Sequence, residues 1–401
     1  MKLSTVGLVA GLLATLLTGC VPEVKTGLDV LAADQYSVLE GKRVGVVTNA
    51  TGVDRRLVAL PELLARAPKV TLAAIFGPEH GIRGEVSAGH GVDHSLDELT
   101  GVPVYSLYGK VRRPTREMLG GLEALLFDIQ DIGVRAYTYI STLKEVLAAA
   151  GETGTEVWVL DRPVPINGSV VEGPMLEDGF QSFVGSHRIP LRHGLTVGEF
   201  ARMVNEELEL GASLHVVPMQ GYQRGSFQEA SGLQWVKPSP NIPTVDTALV
   251  YAGMVLIEGT NLSEGRGTPR PFHWTGAPWI DATRLAAELN ALDLPGGIFV
   301  PVRFTPSVSK YQGETCFGVD VRITDRKAYR SVTVAVALIQ TVKRLYPGEF
   351  EFRAATFDRL ACTRELRESI EGDTPFEEIV SSWDHDLEIY LQRRRKFLLY
   401  E

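Results

Sequence analysis

Carboxylates stand at the ends of apolar runs throughout the first half of the chain. Glu79 follows VTLAAIFGP, Asp128 and Asp131 close ALLFDIQD, Asp161 closes EVWVL, and Glu172 sits in VEGP. Two such groups a few ångströms apart can protonate a leaving oxygen and activate water or carry charge, which is general acid and base chemistry. Polar companions surround them: His80 and Arg83 after Glu79, and Gln130, Arg135 and Tyr137 around Asp131. Later loops add Asn241 in KPSPNIPT and Asn261, Glu264 and Arg266 in EGTNLSEGRGTPRPFHWTGAPW. Loops dense in Gly, Pro, Asn and aromatic residues suit a sugar, whose hydroxyls need planar polar partners and whose apolar face stacks on rings. Each acid also has a structural alternative. Asp161 can brace the turn forced by Pro163 and Pro165, and Asp128 can pair with Arg135.

A different chemistry can be written for FGPEHGIRGEVSAGHGVDHS, where His80, Asp93, His90 and His94 make a zinc-like set. Histidines four apart converge only on a helix, and Gly84, Gly89 and Gly91 argue for a loop. The stretch lacks GxxxxGK[ST], and its acids would repel a phosphate. A strand-end loop remains, with Glu79 as its acid or base and glycines that let a ligand approach the backbone.

The elements that must hold these residues follow from periodicity. RVGVVTN, VTLAAIFG, VPVYSLYG, ALLFDIQD, EVWVLDRP and LHVVPM read as strands without in-out alternation. Helical patterns at residues 56–66, 138–150 and 196–210 separate them, Thr196 and Glu199 having capping-box spacing. This is an α/β, Rossmann-like parallel sheet, in which ligands bind beyond the carboxyl ends of the strands. Residues 220–279 form a long irregular stretch with one helical segment at 247–257, and such a connection is usually functional. A smaller α/β pattern follows, with strands at 298–304 and 317–323 and helices at 331–346 and from 375 onward. The division expected is a lead-in over 20–40, a catalytic domain over 41–245 and a C-terminal domain over 246–401.

With 401 residues, 44% hydrophobic and 22% charged, the chain exceeds the roughly 250–300 residues at which a single core splits. Its net charge of −9 and lack of a basic stripe exclude a nucleic-acid binder. The one basic run, Gln392-Arg393-Arg394-Arg395-Lys396, reads as a solvated helix face. Lys2 and the apolar run from Val6 to Leu17 read as an export signal over residues 1–19. Leu17-Thr18-Gly19-Cys20 resembles a lipobox that would leave Cys20 lipidated and the protein anchored in the cell envelope, with a hint of the outer membrane because Val21 replaces Asp. That apolar run is shorter than the roughly 20 residues of a permanent span. Cys316 and Cys362 then read as buried thiols.

The ordered segments GPEHGIRG, SLYG, FDIQDIGVRAYTYIS, LDRP, VEGP, PSPNIPT, EGTNLSEGRGT and GAPW resemble the NamZ-like exo-β-N-acetylmuramidases, over nearly the whole chain after the leader. The resemblance implies a Rossmann-like domain and a smaller C-terminal domain with the active-site cleft between them. It implies no metal or organic cofactor. The activity implied is release of β-1,4-linked N-acetylmuramic acid from the non-reducing ends of peptidoglycan fragments. Glu79 is then the acid and base, and Asp128, Asp131 or Glu172 its partner, unless the 2-acetamido group itself attacks. Arg83, Arg135 and Arg266 are the candidates for the lactyl carboxylate; His80, Gln130, Tyr137, Asp161, Asn241, Asn261 and Glu264 complete the expected substrate contacts. Val164 and His273 depart from the family's pattern, bearing on substrate detail. A surface lipoprotein that binds muropeptides without cleaving them, and a zinc hydrolase or deacetylase, are the competing readings.

Overall fold

The computed structural model describes residues 23–84 and 95–401. The first half builds seven strands of one sheet: β1 (Arg43–Thr48), β2 (Thr71–Gly77), β3 (Ser95–Leu96), β4 (Pro103–Ser106), β5 (Ala124–Asp128), β6 (Glu156–Leu160) and, after a two-stranded hairpin of β7 (Glu172–Met175) and β8 (Pro190–Arg192), β9 (Leu214–Val217). Their order is β3-β4-β2-β1-β5-β6-β9. Only the short edge strand β3 runs antiparallel to its neighbour. The six apolar runs read from the sequence are the six parallel strands; the continuous burial of the central ones, β1, β2 and β5, has a simple cause, since both their faces are covered, whereas β4, β6 and β9 are only partly buried. Ala124 and Leu126 join Val44, Val46, Leu60 and Leu64 on one side. Leu125 and Phe127 join Ile140, Leu143 and Leu147 on the other, as period-two alternation requires.

The helix Val197–Glu207 starts with the capping box read from Thr196 and Glu199. The helix read at 56–66 is shorter, Leu60–Ala65, with Pro61 in its first turn. The second half holds an antiparallel sheet of β10 (Trp274–Ala277), β11 (Gly297–Phe304) and β12 (Cys316–Ile323), in the order β10-β12-β11. Its long helix, Ser331–Leu345, packs on Val245–Met254, a helix that straddles the expected boundary. One apolar core runs from Phe127 through Leu249 and Leu338 to Phe397, so the halves are packed into each other rather than tethered.

The basic run near the C-terminus is a solvated face at Gln392, Arg395 and Lys396 but not at Arg394. Arg394 is buried, its Nη1 donating to the carbonyls of Gly168, His193 and Gly194. Tyr390 donates to the His193 carbonyl at 2.7 Å, and Tyr400 donates to Asp161 at 2.7 Å. The tail thereby closes back onto the first half. Cys316 and Cys362 are buried free thiols. The leader, Cys20, His90 and His94 lie outside the described residues.

Candidate active site

β2 ends in Gly77, and the chain turns at once, Gly81 donating to the Pro78 carbonyl at 3.0 Å. His80 and Gly81 both take positive φ, 73° and 75°. That tight reversal lifts Glu79 out of the sheet edge, where Thr138 Oγ1 donates to its Oε2 at 2.7 Å. Thr138 precedes the helix Tyr139–Thr153, so strand β2 and that helix together orient the carboxylate.

Glu79 opens onto a cleft of about 750 Å³ between the halves of the chain. Tyr137, Tyr251 and Phe272 form one wall in edge-to-face contact, with ring centroids 5.9 and 4.7 Å apart. The Tyr137 hydroxyl is buried beside Ser239 and Tyr139, and burial raises it well above the usual phenol range. Asn241 and Ser239 come from the PSPN turn, and the irregular stretch supplies Glu258, Glu264 and Arg266. Of the sequence candidates, the structure gathers Glu79, His80, Tyr137, Asn241, Glu264 and Arg266 here.

Glu258 stands in the same sugar-suited loop as Asn261, Glu264 and Arg266, where the sequence assigns it no role, and among the described residues it is one of the cleft's three carboxylates. Arg266 Nη2 donates to it at 2.7 Å, and Arg266 also faces Glu264 at 3.4 Å. Burial raises the Glu258 carboxyl above its usual range, with Arg266 opposing and Glu264 adding to the rise. Its place is set by Gly259, where an added Cβ would fall 2.4 Å from Phe357 Cα in the helix Ala354–Ala361. No larger residue fits that approach. The signal in the sequence was EGTN itself, a glycine after an acid at the end of an apolar helix.

The other candidates are committed elsewhere. Asp128 binds Arg162 through both oxygens, at 2.5 and 2.9 Å, both side chains buried, so its partner is Arg162 and not Arg135. Gln130 braces the same strand end, donating to the carbonyls of Asp131 and Pro163. Asp131 accepts from Gly133 N at 2.6 Å in a dry site. Burial pushes its carboxyl up to about 7, against hydrogen bonds from the Gly133 and Ile132 backbone. Beside it at 3.9 Å, His193 is pushed down to about 3 by burial and by Arg394 and Arg135. Glu172 pairs with Arg192 at 2.5 Å and accepts from Val332 N at the start of the long helix. Asp161 accepts from Thr196, Gly198 N and Tyr400, bracing the next helix start and the tail.

Arg135 is fully buried and donates to four carbonyls, those of Pro174, Ile189, Leu360 and Ala361. The last two close the helix Ala354–Ala361, whose final carbonyls lack partners of their own. Arg83 pairs with Asp97 at 2.8 Å on the β3 edge, outside the cleft. Asn261 pairs its amide with Glu349 O and Glu351 N, fixing a loop. Of the two departures, Val164 is core and His273 is held by the Val321 carbonyl, and neither lines the cleft.

A Rossmann-like sheet joined to a smaller α/β region, with carboxylates and aromatic rings lining the cleft between them, defines a protein built to bind and act on a polar, ring-bearing ligand. The comparisons with known proteins narrow that class. The N-terminal region of the exo-β-N-acetylmuramidase NamZ family matches residues 44–246 and its C-terminal region matches 249–400. The chain belongs to this family. It is 46% identical over 380 residues to the peptidoglycan β-N-acetylmuramidase NamZ of Bacillus subtilis strain 168, covering 94% of this chain and 92% of that one. Two crystal structures of DUF1343 family proteins from Bacteroides fragilis share the fold. One is 40% identical with a TM-score of 0.89 and the other 29% identical with 0.77, each pair covering 94% of this chain and 99% of the other.

Proposed function

We propose that the chain is an exo-acting glycoside hydrolase that releases β-linked N-acetylmuramic acid from the non-reducing ends of peptidoglycan fragments, in cell-wall turnover. The observation that carries this reading is the convergence of Glu79, Glu258 and Glu264 on one aromatic-walled cleft, in a chain 46% identical to a β-N-acetylmuramidase. Glu79 delivers a proton to the leaving oxygen and then takes one from water, with Thr138 orienting it. The second carboxyl is Glu258: Asp128 and Glu172 have their oxygens turned to protein groups and Asp131 is buried away from the cleft, whereas Glu258 faces the cleft with 29% of its side chain exposed. Tyr137 and Tyr251 offer the small exposed part of their rings to the sugar, with Phe272 buried behind them. Purified protein should release chromophore from 4-nitrophenyl β-N-acetylmuramide. Folded protein that releases none, yet binds the sugar, would leave the non-catalytic binder as the better account.

We also propose that the chain is exported and lipid-anchored at Cys20, supported by the run ending in Leu17-Thr18-Gly19-Cys20. Cys20→Ala should move the protein from the membrane fraction to the soluble one. An unchanged partition would remove the anchor from the reading.

A further inference from the structure

Among the described residues, four cationic side chains line the cleft: Arg266, Lys310, Arg353 and Arg359. Two are consumed by the protein. Arg266 is held by Glu258 and Glu264. Lys310 donates to the carbonyls of Ile257 and Leu262, at 2.9 and 2.7 Å, and pairs with Glu264 at 3.2 Å. Arg353 and Arg359 differ: both are exposed to the cleft, and neither guanidinium has an ion pair or hydrogen bond among the described residues. Among the described residues, Glu79, Glu258 and Glu264 are the carboxylates of the lining, one fewer than its cations.

These two arginines bracket a stiff support. Arg353 caps the helix Ala354–Ala361 and Arg359 lies in its last turn. The helix is locked against the Glu258 turn by the close approach at Gly259, and its terminal carbonyls are pinned by Arg135. Arg353 also stands near Lys310, whose ammonium is lowered first by burial and further by Arg353, with Glu264 opposing. Unpaired guanidinium groups on a rigid base, beside a second cation, are arranged for an anion supplied from outside.

Resting on the proposed muramidase reading, we infer that Arg353 and Arg359 bind the carboxylate of the lactyl ether on the sugar's third carbon, so that selection of muramic acid over its neutral counterpart resides in the C-terminal region. Arg83 and Arg135 are thereby released from that role, one by its place on the β3 edge and the other by its four carbonyls. Arg266 serves the carboxylates of the cleft.

The test compares wild type with Arg353→Ala, Arg359→Ala, the double variant and both Arg→Lys forms. Three chromogenic probes are used: the β-N-acetylmuramide, the same muramide with its lactyl carboxyl capped as a methylamide, and the β-N-acetylglucosaminide. A charged hydrogen bond of about 1.5–3 kcal/mol corresponds to a loss of about 10- to 100-fold in kcat/KM on the acidic probe for each alanine variant, carried mainly by KM. Rates on the two neutral probes should stay within about twofold, and lysine should restore part of the loss by supplying charge without the planar fork. A folded double variant with an unchanged acidic-to-neutral ratio overturns the assignment. Calorimetry with free N-acetylmuramic acid and N-acetylglucosamine provides a readout independent of turnover. If wild type cleaves nothing, the hydrolase reading fails, and loss of N-acetylmuramic acid binding in the double variant still decides whether these arginines hold the carboxylate.

Discussion

Two groups of acids divide the molecule. Asp128, Asp131 and Asp161 crowd the carboxyl ends of β5 and β6, where an open parallel sheet ordinarily takes its ligand. Glu79, Glu258 and Glu264 face the cleft toward the C-terminal region. The three Asp are buried and Glu79 and Glu258 only partly so, while arginine stands beside members of both groups, so charge does not separate them. What separates them is the partner of each oxygen. In the strand-end group the oxygens are met by Arg162, backbone N–H groups, Thr196 and Tyr400, apart from one buried Asp131 oxygen. In the cleft group, Glu258 keeps part of its surface open while one of its oxygens accepts from Arg266. An acid whose hydrogen bonds are spent on its own chain builds the fold; one that faces a cavity can serve a ligand.

The sharpest break of this contrast sets Glu79→Gln against Asp128→Asn. The first should lower kcat by about 10³-fold while the unfolding midpoint stays put, within the usual 10²- to 10⁴-fold worth of a general acid. An unchanged rate would move the acid elsewhere in the cleft. Asp128→Asn should instead remove about 3–5 kcal/mol of stability, because Arg162 would remain buried without its counter-charge. The folded fraction should keep kcat within a few-fold. Denaturant unfolding with active-site titration checks both, and a folded but inactive Asp128→Asn would return that residue to the catalytic set.

A smaller effect reports on Asp131. Its carboxyl is raised by burial from 3.8 to about 7, so the stability it confers is fully present below pH 3.8 and is lost as pH rises through about 7. Asp131→Asn keeps an acceptor for Gly133 N and carries no charge at any pH. Urea midpoints should therefore show the wild type losing stability between about pH 4 and 7 and the variant losing less. Parallel slopes for the two proteins would show that Asp131 is not dry. The smallest effect belongs to Arg83→Ala, an ion pair half in water on the β3 edge. It should change stability by less than about 1 kcal/mol and leave KM for the muramide unaltered. A clear rise in KM would bring Arg83 into the substrate contacts.

The sheet was readable because its central strands are buried on both faces, and runs such as VTLAAIFG and ALLFD state this directly. Glu79 was readable for a related reason: it follows a strand end with glycines on either side of the turn. Asp128 was not separable from it, since its partner Arg162 comes from a neighbouring strand end 34 residues later. The same applies to Arg135, whose Leu360 and Ala361 partners are 225 and 226 residues away. Residues 220–279 were recognised as functional in character, yet which of their acids faces inward depends on the contact of Gly259 with Phe357. The basic tail misled because a run of arginines on a short helix has the same pattern whether it meets water or, as Arg394 does, backbone carbonyls.

The reach of Arg135 across the molecule bears on how substrate enters. One guanidinium from the strand-rich half holds the carbonyls that end the helix carrying Arg359, and the apolar core passes uninterrupted between the halves. Swinging the halves apart like jaws would strip those bonds and expose that shared interior in a single movement. The walls of the cleft formed by the described residues are therefore set before the sugar arrives, and adjustment of those walls on binding falls to side chains, on the timescale of rotamer changes rather than of a hinge.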